Sequence, residues 1–379
     1  MSYRVDTKLL SELKDYGDVN IEACFNCGNC TAICPLSTDE TPFPRNNIRR
    51  MQLGLRDQIL ESTDPWLCYY CGECSTTCPR GAEPAEAQMA LRRWLTGQYD
   101  WTGLAKKFYT SKLWEIGSLL AVAAFVVLMV FLLHGPLVTD QVELNTFAPV
   151  HIIHTGDWIM AGLLSFFLLS NAFRMHQFII HPGENGWPSL LTYIREGWKL
   201  VYHAATQERF LKCENRRPWI NHILLVSGYA LMFGIIVLFL PWFQTDEIYP
   251  LYHPQRWLGY YATAVLLYGA GAALWGRIKK ETEHHRFSHL SDWIFPILLL
   301  LTTVTGILVH VFRYLGLPLT TYYTYVVHLA ILTPMLVLEV PFGKWAHLAY
   351  RPLAIYLQAV KEKAGQEQTV GEPAAAGAD

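Results

Sequence analysis

The chain has 379 residues with 52% hydrophobic composition, enough for two or three domains, and a formal net charge of −2. Near-neutral charge, with no basic stripe interleaved with aromatics, excludes a nucleic-acid-binding role. There is no G-x-G-x-x-G turn for a dinucleotide, no Cys-Cys dipeptide and no nucleophile triad, so neither dinucleotide chemistry nor acyl transfer is written into the chain.

The first 112 residues are polar and hold eight of the nine cysteines and no histidine. MSYRVDTKLLSELKDYGD contains no apolar secretory core, which places the N-terminal domain in the cytoplasm. In that reducing setting dense cysteines predict metal ligation over disulfides. CFNCGNCTAICP, residues 24–35, is followed by a helix-like stretch, NNIRRMQLGLRDQILES. CYYCGECSTTCP, residues 68–79, repeats the same spacing, and EPAEAQMALRRWLTGQ predicts another helix.

Each run reads C-x2-C-x2-C-x3-C-P, the spacing used for [4Fe–4S] clusters. Three thiolates of a run hold three irons of one cube. The fourth lies too far along and reaches the other cube. Cys24, Cys27, Cys30 and Cys78 are therefore expected at one cluster, and Cys68, Cys71, Cys74 and Cys34 at the other. Structural zinc uses two separated pairs of ligands and fits this duplicated triplet poorly. Scarce strand-like alternation predicts an α-helical ferredoxin domain over residues 1–112. Cys213 stands alone and is expected to be a free thiol without a role.

Beyond residue 112 six apolar stretches reach membrane length, at about 113–134, 152–176, 219–243, 257–277, 291–314 and 322–342. Trp219, Trp242, Trp257, Tyr322 and Tyr323 sit at stretch ends, as in an interfacial belt. The segments 135–150, 244–256 and 315–321 contain one basic residue, Arg256, whereas 181–218, 276–290 and 343–363 contain fourteen. By the positive-inside rule both termini face the cytoplasm of a multi-pass protein in the cytoplasmic membrane. Within 181–218, SLLTYIREGWKLVYHAATQERFLK predicts an amphipathic helix on the membrane surface. Residues 348–379 are expected to be a cytoplasmic tail ending in disordered low complexity.

All fourteen histidines lie in this second part. Histidine inside a bilayer helix is costly and points to function. His328 and His347 are nineteen residues apart, about 28 Å along one helix, with Pro334 and Pro341 bending it. His222 is level with His347, and His310 with His328. Facing histidines in a bundle make a bis-imidazole haem b site. Two such pairs predict an inner haem on His222 and His347 and an outer haem on His328 and His310, with His154 or Met232 as alternative outer ligands. His151, His154 and Asp157 form a candidate quinol site near the outer end of the second helix. His176, His181, His284, His285 and His289 are read as surface residues at the inner face. A transporter would show internal repeats and interrupted helices, which are not found. A non-catalytic anchor with structural histidines is the other rival.

The two cysteine runs, together with NRRPWINH and VVHLAILTPMLVLEVPFGKWAH, resemble a fusion of the HdrC and HdrE types of heterodisulfide reductase subunit. They resemble most the membrane subunits of quinone-interacting membrane-bound oxidoreductases, over nearly the whole chain to about residue 360. The last segment is also similar to the cytochrome b subunit of respiratory nitrate reductase, in which two spaced histidines on the final helix each bind a haem. That pattern has a second histidine ten residues after the first on the third helix, and here the place is Met232. The resemblance implies an all-α protein: a two-cluster ferredoxin domain at 1–112 and a six-helix transmembrane cytochrome b domain at 113–347. It implies menaquinol oxidation and HdrA-like flavin and iron–sulfur partners of the QmoA and QmoB kind. The final acceptor would be adenylylsulfate reductase in sulfate reduction. A subunit linking quinone to thiol–disulfide chemistry is the alternative.

Overall fold

The computed structural model describes residues 4–180, 187–212, 216–280 and 283–371. Every regular element among them is helical. The N-terminal part contains α1 (Leu9–Lys14), α2 (Asn29–Ile33), α3 (Arg45–Gln52), α4 (Arg56–Leu60), α5 (Asp64–Leu67), α6 (Glu73–Thr76), α7 (Pro84–Tyr99) and α8 (Leu104–Thr110). Next come α9 (Lys112–Leu133), α10 (Leu144–Phe147), α11 (Val150–Ile179), α12 (Leu190–Thr206), α13 (Arg217–Leu238), α14 (Leu240–Phe243), α15 (Pro254–Lys279), α16 (Glu283–Arg286), α17 (Leu290–Tyr314) and α18 (Pro318–Pro334). After a π-helical turn, Met335–Glu339, the chain closes with α19 (Val340–Phe342) and α20 (His347–Gly371).

Six helices are long and apolar enough to cross a membrane: Lys112–Leu133, Val150–Ile179, Arg217–Leu238, Pro254–Lys279, Leu290–Tyr314 and Pro318–Phe342. They match the six expected stretches, except that the third stops at Leu238, before the separate turn α14. Their starts follow local chemistry. Pro lies in the first turn of α13, α15 and α18, where its missing N–H costs nothing. At α17 the His289 ring accepts from the Ser291 amide at 3.3 Å, while Asp292 Oδ2 accepts from the His289 amide at 3.0 Å, the reciprocal arrangement of a capping box.

The chain divides into two compact units: residues 1–106, 169–214 and 346–379, and residues 107–168 and 215–345. Against the expected 1–112, the first unit stops at 106 and adds 169–214 and 346–379. Its core contains the fully buried rings of Tyr16, Trp66, Trp94, Tyr99 and Tyr350. The Trp66 indole donates to the Tyr99 hydroxyl at 3.2 Å. Tyr350 of α20 meets Trp66 edge-on at 5.2 Å and Tyr99 at 5.5 Å. Arg351 donates to the Trp66 carbonyl at 3.2 Å, and Tyr356 to that of Tyr193 on α12 at 3.1 Å. The stretch expected to be a C-terminal tail from 348 is helical as far as Gly371 and built into this core, because Tyr350, Ala354, Leu357 and Val360 repeat at helical spacing and are buried; 372–379 lie outside the described residues. On α12 the stripe Leu190, Ile194, Trp198 and Val201 remains exposed.

In the second unit α13, α15, α17, α18 and α9 pack as successive neighbours. Glycines set the closest approach. A Cβ on Gly228 would come 2.5 Å from Val265 Cγ2, and one on Gly269 2.3 Å from Leu225 Cδ1. Small residues at such crossings let helix backbones meet within lipid. The segment 138–148 folds over the start of α18, where Phe147 stacks on Tyr322 at 4.6 Å and the Tyr322 hydroxyl donates to the Val138 carbonyl at 3.0 Å.

The last span differs from a single bent helix carrying both His328 and His347. Gly343, at φ −100° and ψ −158°, ends it after Phe342, and His347 opens α20. The rise of one continuous helix therefore does not apply. Pro334 and Pro341 remove ladder donors on either side of the π turn, and extended backbone at Gly343 completes the break.

Gly228→Leu should lower the unfolding midpoint of the detergent-purified protein, at a cost of about 1–3 kcal/mol for overpacking. Gly234→Leu on the same helix, where a Cβ meets nothing within 4 Å, should leave it nearly unchanged. Thermal unfolding of the two variants side by side checks this.

Candidate iron–sulfur and redox centres

Both cysteine runs fold as the same loop. Asn26 and Tyr70, before the second cysteine of each run, have φ of 58° and 59°. Gly28 and Gly72, just after it, have φ of 93° and 87° and begin α2 and α6. Left-handed backbone is free for glycine but costly for a tyrosine. It turns main-chain donors onto sulfur: the Asn26 amide lies 3.3 Å from Cys24 Sγ, and the Tyr70 amide 3.4 Å from Cys68 Sγ. The Ala82 amide adds a third such contact, 3.4 Å from Cys78 Sγ. Donors on sulfur stabilise thiolate and tune cluster potential.

The eight cysteines form no disulfide. Cys30 lies within electrostatic reach of Cys24, Cys27 and Cys78, while Cys34 lies within reach of Cys68 and Cys71. Cys74 feels Cys68, Cys71 and Cys34, and Cys30 more weakly. Cys78 thus falls within reach of Cys30 of the first run, and Cys34 within reach of Cys68, Cys71 and Cys74 of the second. Burial pushes the thiols of Cys30, Cys71 and Cys74 up, and that of Cys34 up to about 12, so ligation displaces protons from them. Among the described residues no three His, Cys, Asp or Glu side chains converge on one metal ion. A [4Fe–4S] cube instead places its four thiolates on four separate irons. Donor set, loop geometry and N–H···S contacts all fit two such cubes.

The second run is held from behind by cations. Buried Arg92 on α7 donates to the Pro65 carbonyl at 2.6 Å and to that of Cys68. Burial, with the Arg351 charge nearby, pulls Arg92 down to about 9, which leaves it a cation at neutral pH. Next to it the buried pair Arg93–Glu86 closes at 2.9 Å, and the other Glu86 oxygen accepts from the Tyr70 hydroxyl at 2.8 Å. Sequence spacing had no signal for Arg92 or Glu86. The first run is more open: Phe25 is 71% exposed, under the Arg80 guanidinium at 4.2 Å.

The histidines are placed as follows. His328 Nδ1 lies 3.0 Å from Thr305 Oγ1, and its ring edge rests on Gly306, where a Cβ would come 3.1 Å from Cε1. A donor bond from Nδ1 would leave Nε2 as the acceptor nitrogen, the state of a metal-ligating imidazole. His310 Nε2 is 3.0 Å from the Tyr260 hydroxyl, so it turns toward α15. His154 Nε2 is 2.9 Å from the Val237 carbonyl and 3.2 Å from the Trp158 indole nitrogen. Either alternative partner for His328 would have to give up a contact made through its usual ligating nitrogen. His222 is half-buried on α13 in the second unit, and His347 opens α20 in the first. Met232 is half-buried on α13.

At the candidate quinol site His151 is exposed, whereas Asp157 is 7% exposed with Oδ2 unpartnered. Asp157 lies within electrostatic reach of His154 and of Tyr325. Tyr325 donates to Gln244 Oε1 at 2.8 Å, and Gln244 Nε2 to the Ala148 carbonyl at 2.7 Å. Tyr325 and Gln244 are additions that only folding reveals. Of the histidines expected at the inner face, His176 Nε2 meets the Tyr193 hydroxyl at 2.8 Å and His289 caps α17. Cys213 and His181 lie outside the described residues, as does the His284 side chain.

Residues 20–82 match the family model of a 4Fe-4S dicluster domain. Over 102 residues the chain is 32% identical to a protein of Archaeoglobus profundus that is like the C subunit of heterodisulfide reductase, covering 27% of this chain and 54% of that protein. Over 74 residues it is 33% identical to the iron–sulfur C subunit of the CoB–CoM heterodisulfide reductase of Methanopyrus kandleri, 20% of this chain and 38% of that one. The C subunit of the H(2):CoB-CoM heterodisulfide,ferredoxin reductase of Methanothermobacter marburgensis is 38% identical over 64 residues, 17% and 34% of the two chains. The chain spans about half the length of the first of these relatives and less of the others. No solved structure matches it.

A reduced cluster carries one more negative charge, which a neighbouring cation favours. Arg92→Gln should therefore lower the potential of the second-run cluster by on the order of tens of mV, with the other cluster less affected. Redox titration of the purified protein followed by electron paramagnetic resonance checks this.

Proposed function

We propose that this chain is the electron-transfer membrane subunit of a quinone-linked oxidoreductase complex. It takes electrons from menaquinol and passes them through two [4Fe–4S] clusters to cytoplasmic flavoprotein subunits, and it is not catalytic alone. The observation that carries this reading is the union in one chain of a 4Fe-4S dicluster domain with six helices of membrane-spanning length. A lipid-soluble donor and a water-soluble acceptor need such a join.

In this proposal Cys24, Cys27, Cys30 and Cys78 hold one cluster, and Cys68, Cys71, Cys74 and Cys34 the other. The grouping of Cys30 with Cys78 and of Cys34 with Cys68 supports it. Haem b would supply single-electron exchange between a two-electron quinol and the clusters. His328 is the candidate ligand best supported, through Thr305. His310 is its partner in this reading, with His154 and Met232 as alternatives. His222 and His347 are proposed for the inner haem from the sequence pattern. In this reading Asp157 accepts a quinol proton beside His154, which its burial and one unpartnered carboxylate oxygen support. The Lys and Arg count supports cytoplasmic termini and α12 lying along the cytoplasmic membrane surface.

The partners in this reading are HdrA-like subunits of the QmoA and QmoB kind, with adenylylsulfate reductase as acceptor in sulfate reduction. A second reading, a link between quinone and thiol–disulfide chemistry, is favoured by the relatives, which are heterodisulfide reductase subunits.

Three outcomes are expected. The purified protein shows a b-type absorption band that a menaquinol analogue reduces; a haem that the quinol cannot reduce would favour the thiol-linked reading, and no haem band would remove the transmembrane path. His222→Ala and His347→Ala lose the same haem. Cys34→Ser perturbs the paramagnetic signal that Cys71→Ser perturbs, while Cys78→Ser perturbs that of Cys27→Ser.

A further inference from the structure

At the other end of the membrane domain from Asp157 lies a second set of buried carboxyls. Tyr325, near Asp157, and Glu339 are fourteen residues apart on the sixth span, about 20 Å along a helix. Glu339 is completely buried and neither of its carboxylate oxygens has a hydrogen-bond partner. The Lys344 backbone amide lies beside its carboxylate. Glu115 on α9 is 1% exposed, also with one oxygen unpartnered. It lies within electrostatic reach of Glu339 and of Asp292. Asp292 is paired with Lys344 and caps α17 through His289, and the His289 ring packs on Tyr109 of α8 at 6.0 Å. The Lys344 ammonium, the basic group in this set, thus already serves Asp292.

The backbone is shaped around Glu339. It ends the π turn Met335–Glu339, a local form that recurs at functional sites. Its carboxylate folds back against Gly343, where a Cβ would fall 2.1 Å from Oε2 and 2.8 Å from Cδ. Only a glycine leaves that space. A carboxylate buried with so little polar contact is costly to keep charged, a cost that binding a proton removes. Two such groups on neighbouring helices, beside an ion pair at the basic end of the spans, make a place where one proton is exchanged more cheaply than charge is held.

We infer that Glu115 and Glu339 form a proton-exchange pair, which takes a proton from the aqueous phase at the Lys344 end when the membrane domain is reduced and returns it on reoxidation. This rests on the membrane domain carrying electrons, as proposed above. The step balances simply: the reductant, a quinol or dithionite, supplies the electron to the electron-carrying centre, and a hydronium proton bonds to a carboxylate oxygen. The proton offsets negative charge that would otherwise enter a low-dielectric region.

The test is infrared difference spectroscopy, dithionite-reduced minus oxidised, on the detergent-purified full chain in H2O and D2O. A carboxylic C=O band should appear on reduction, shift in D2O, vanish in Glu339→Gln and weaken in Glu115→Gln. Gly343→Ala, which crowds the carboxyl without removing it, should move the band. A wild-type protein that is reduced without any carboxyl band, or a band unchanged in both Gln variants, overturns the pair. If the wild type has no reducible centre in the membrane domain, the electron-carrier reading fails instead. Infrared difference between acid and alkaline samples then decides the pair: a carboxyl band lost in Glu339→Gln supports it, and no such band overturns it.

Discussion

Thiolate sulfur must be met by donors, and in this chain the donors are main-chain amides. That requirement dictates the conformation of both cysteine loops. An amide reaches Cys24 or Cys68 only if Asn26 or Tyr70 turns left-handed, with a left-handed glycine, Gly28 or Gly72, close behind. The turn then launches a short helix that carries the third cysteine. Nothing in a tyrosine favours φ of 59°, so the rest of the unit holds it there. Glu86 takes the Tyr70 hydroxyl and Arg93 takes Glu86. Arg92 takes the Cys68 carbonyl, and α20 closes over Trp66 through Tyr350 and Arg351. The C-terminal helix thus belongs to the packing around the second cysteine run.

The membrane-length helices obey a complementary rule. In apolar surroundings polar groups survive by finding partners, and most here do: Tyr322 with the carbonyls of 138–141, Tyr325 with Gln244, Asp292 with Lys344. Among the exceptions are three carboxyls of the membrane-length helices. Asp157, Glu115 and Glu339 are buried carboxyls with unpartnered oxygens, two of them at one end of the bundle and one at the other. Uncompensated groups of this kind are retained where protons or ligands use them.

The same physics divides the histidines. His328 makes its contact through Nδ1, while His310 and His154 engage Nε2 with Tyr260 and Val237. Residue type and depth set His310 first and His154 second as partners for His328. Their ring contacts differ from that of His328, because a neutral imidazole has one acceptor nitrogen to give.

The sequence by itself determined the helical class, the two-cluster domain and the six spans, because those properties are periodic or local. Cysteine spacing acts within a dozen residues, and apolar length is read one helix at a time. Tertiary structure alone decided which cations stand behind the second run, that Tyr350, Ala354, Leu357 and Val360 lie on a helix built into a core, and that Gly343 separates His347 from the helix of His328. It also decided which buried carboxyls lack partners. Each of these depends on groups tens to hundreds of residues apart, such as Arg351 and Trp66 or Glu115 and Glu339, whose approach no local pattern encodes.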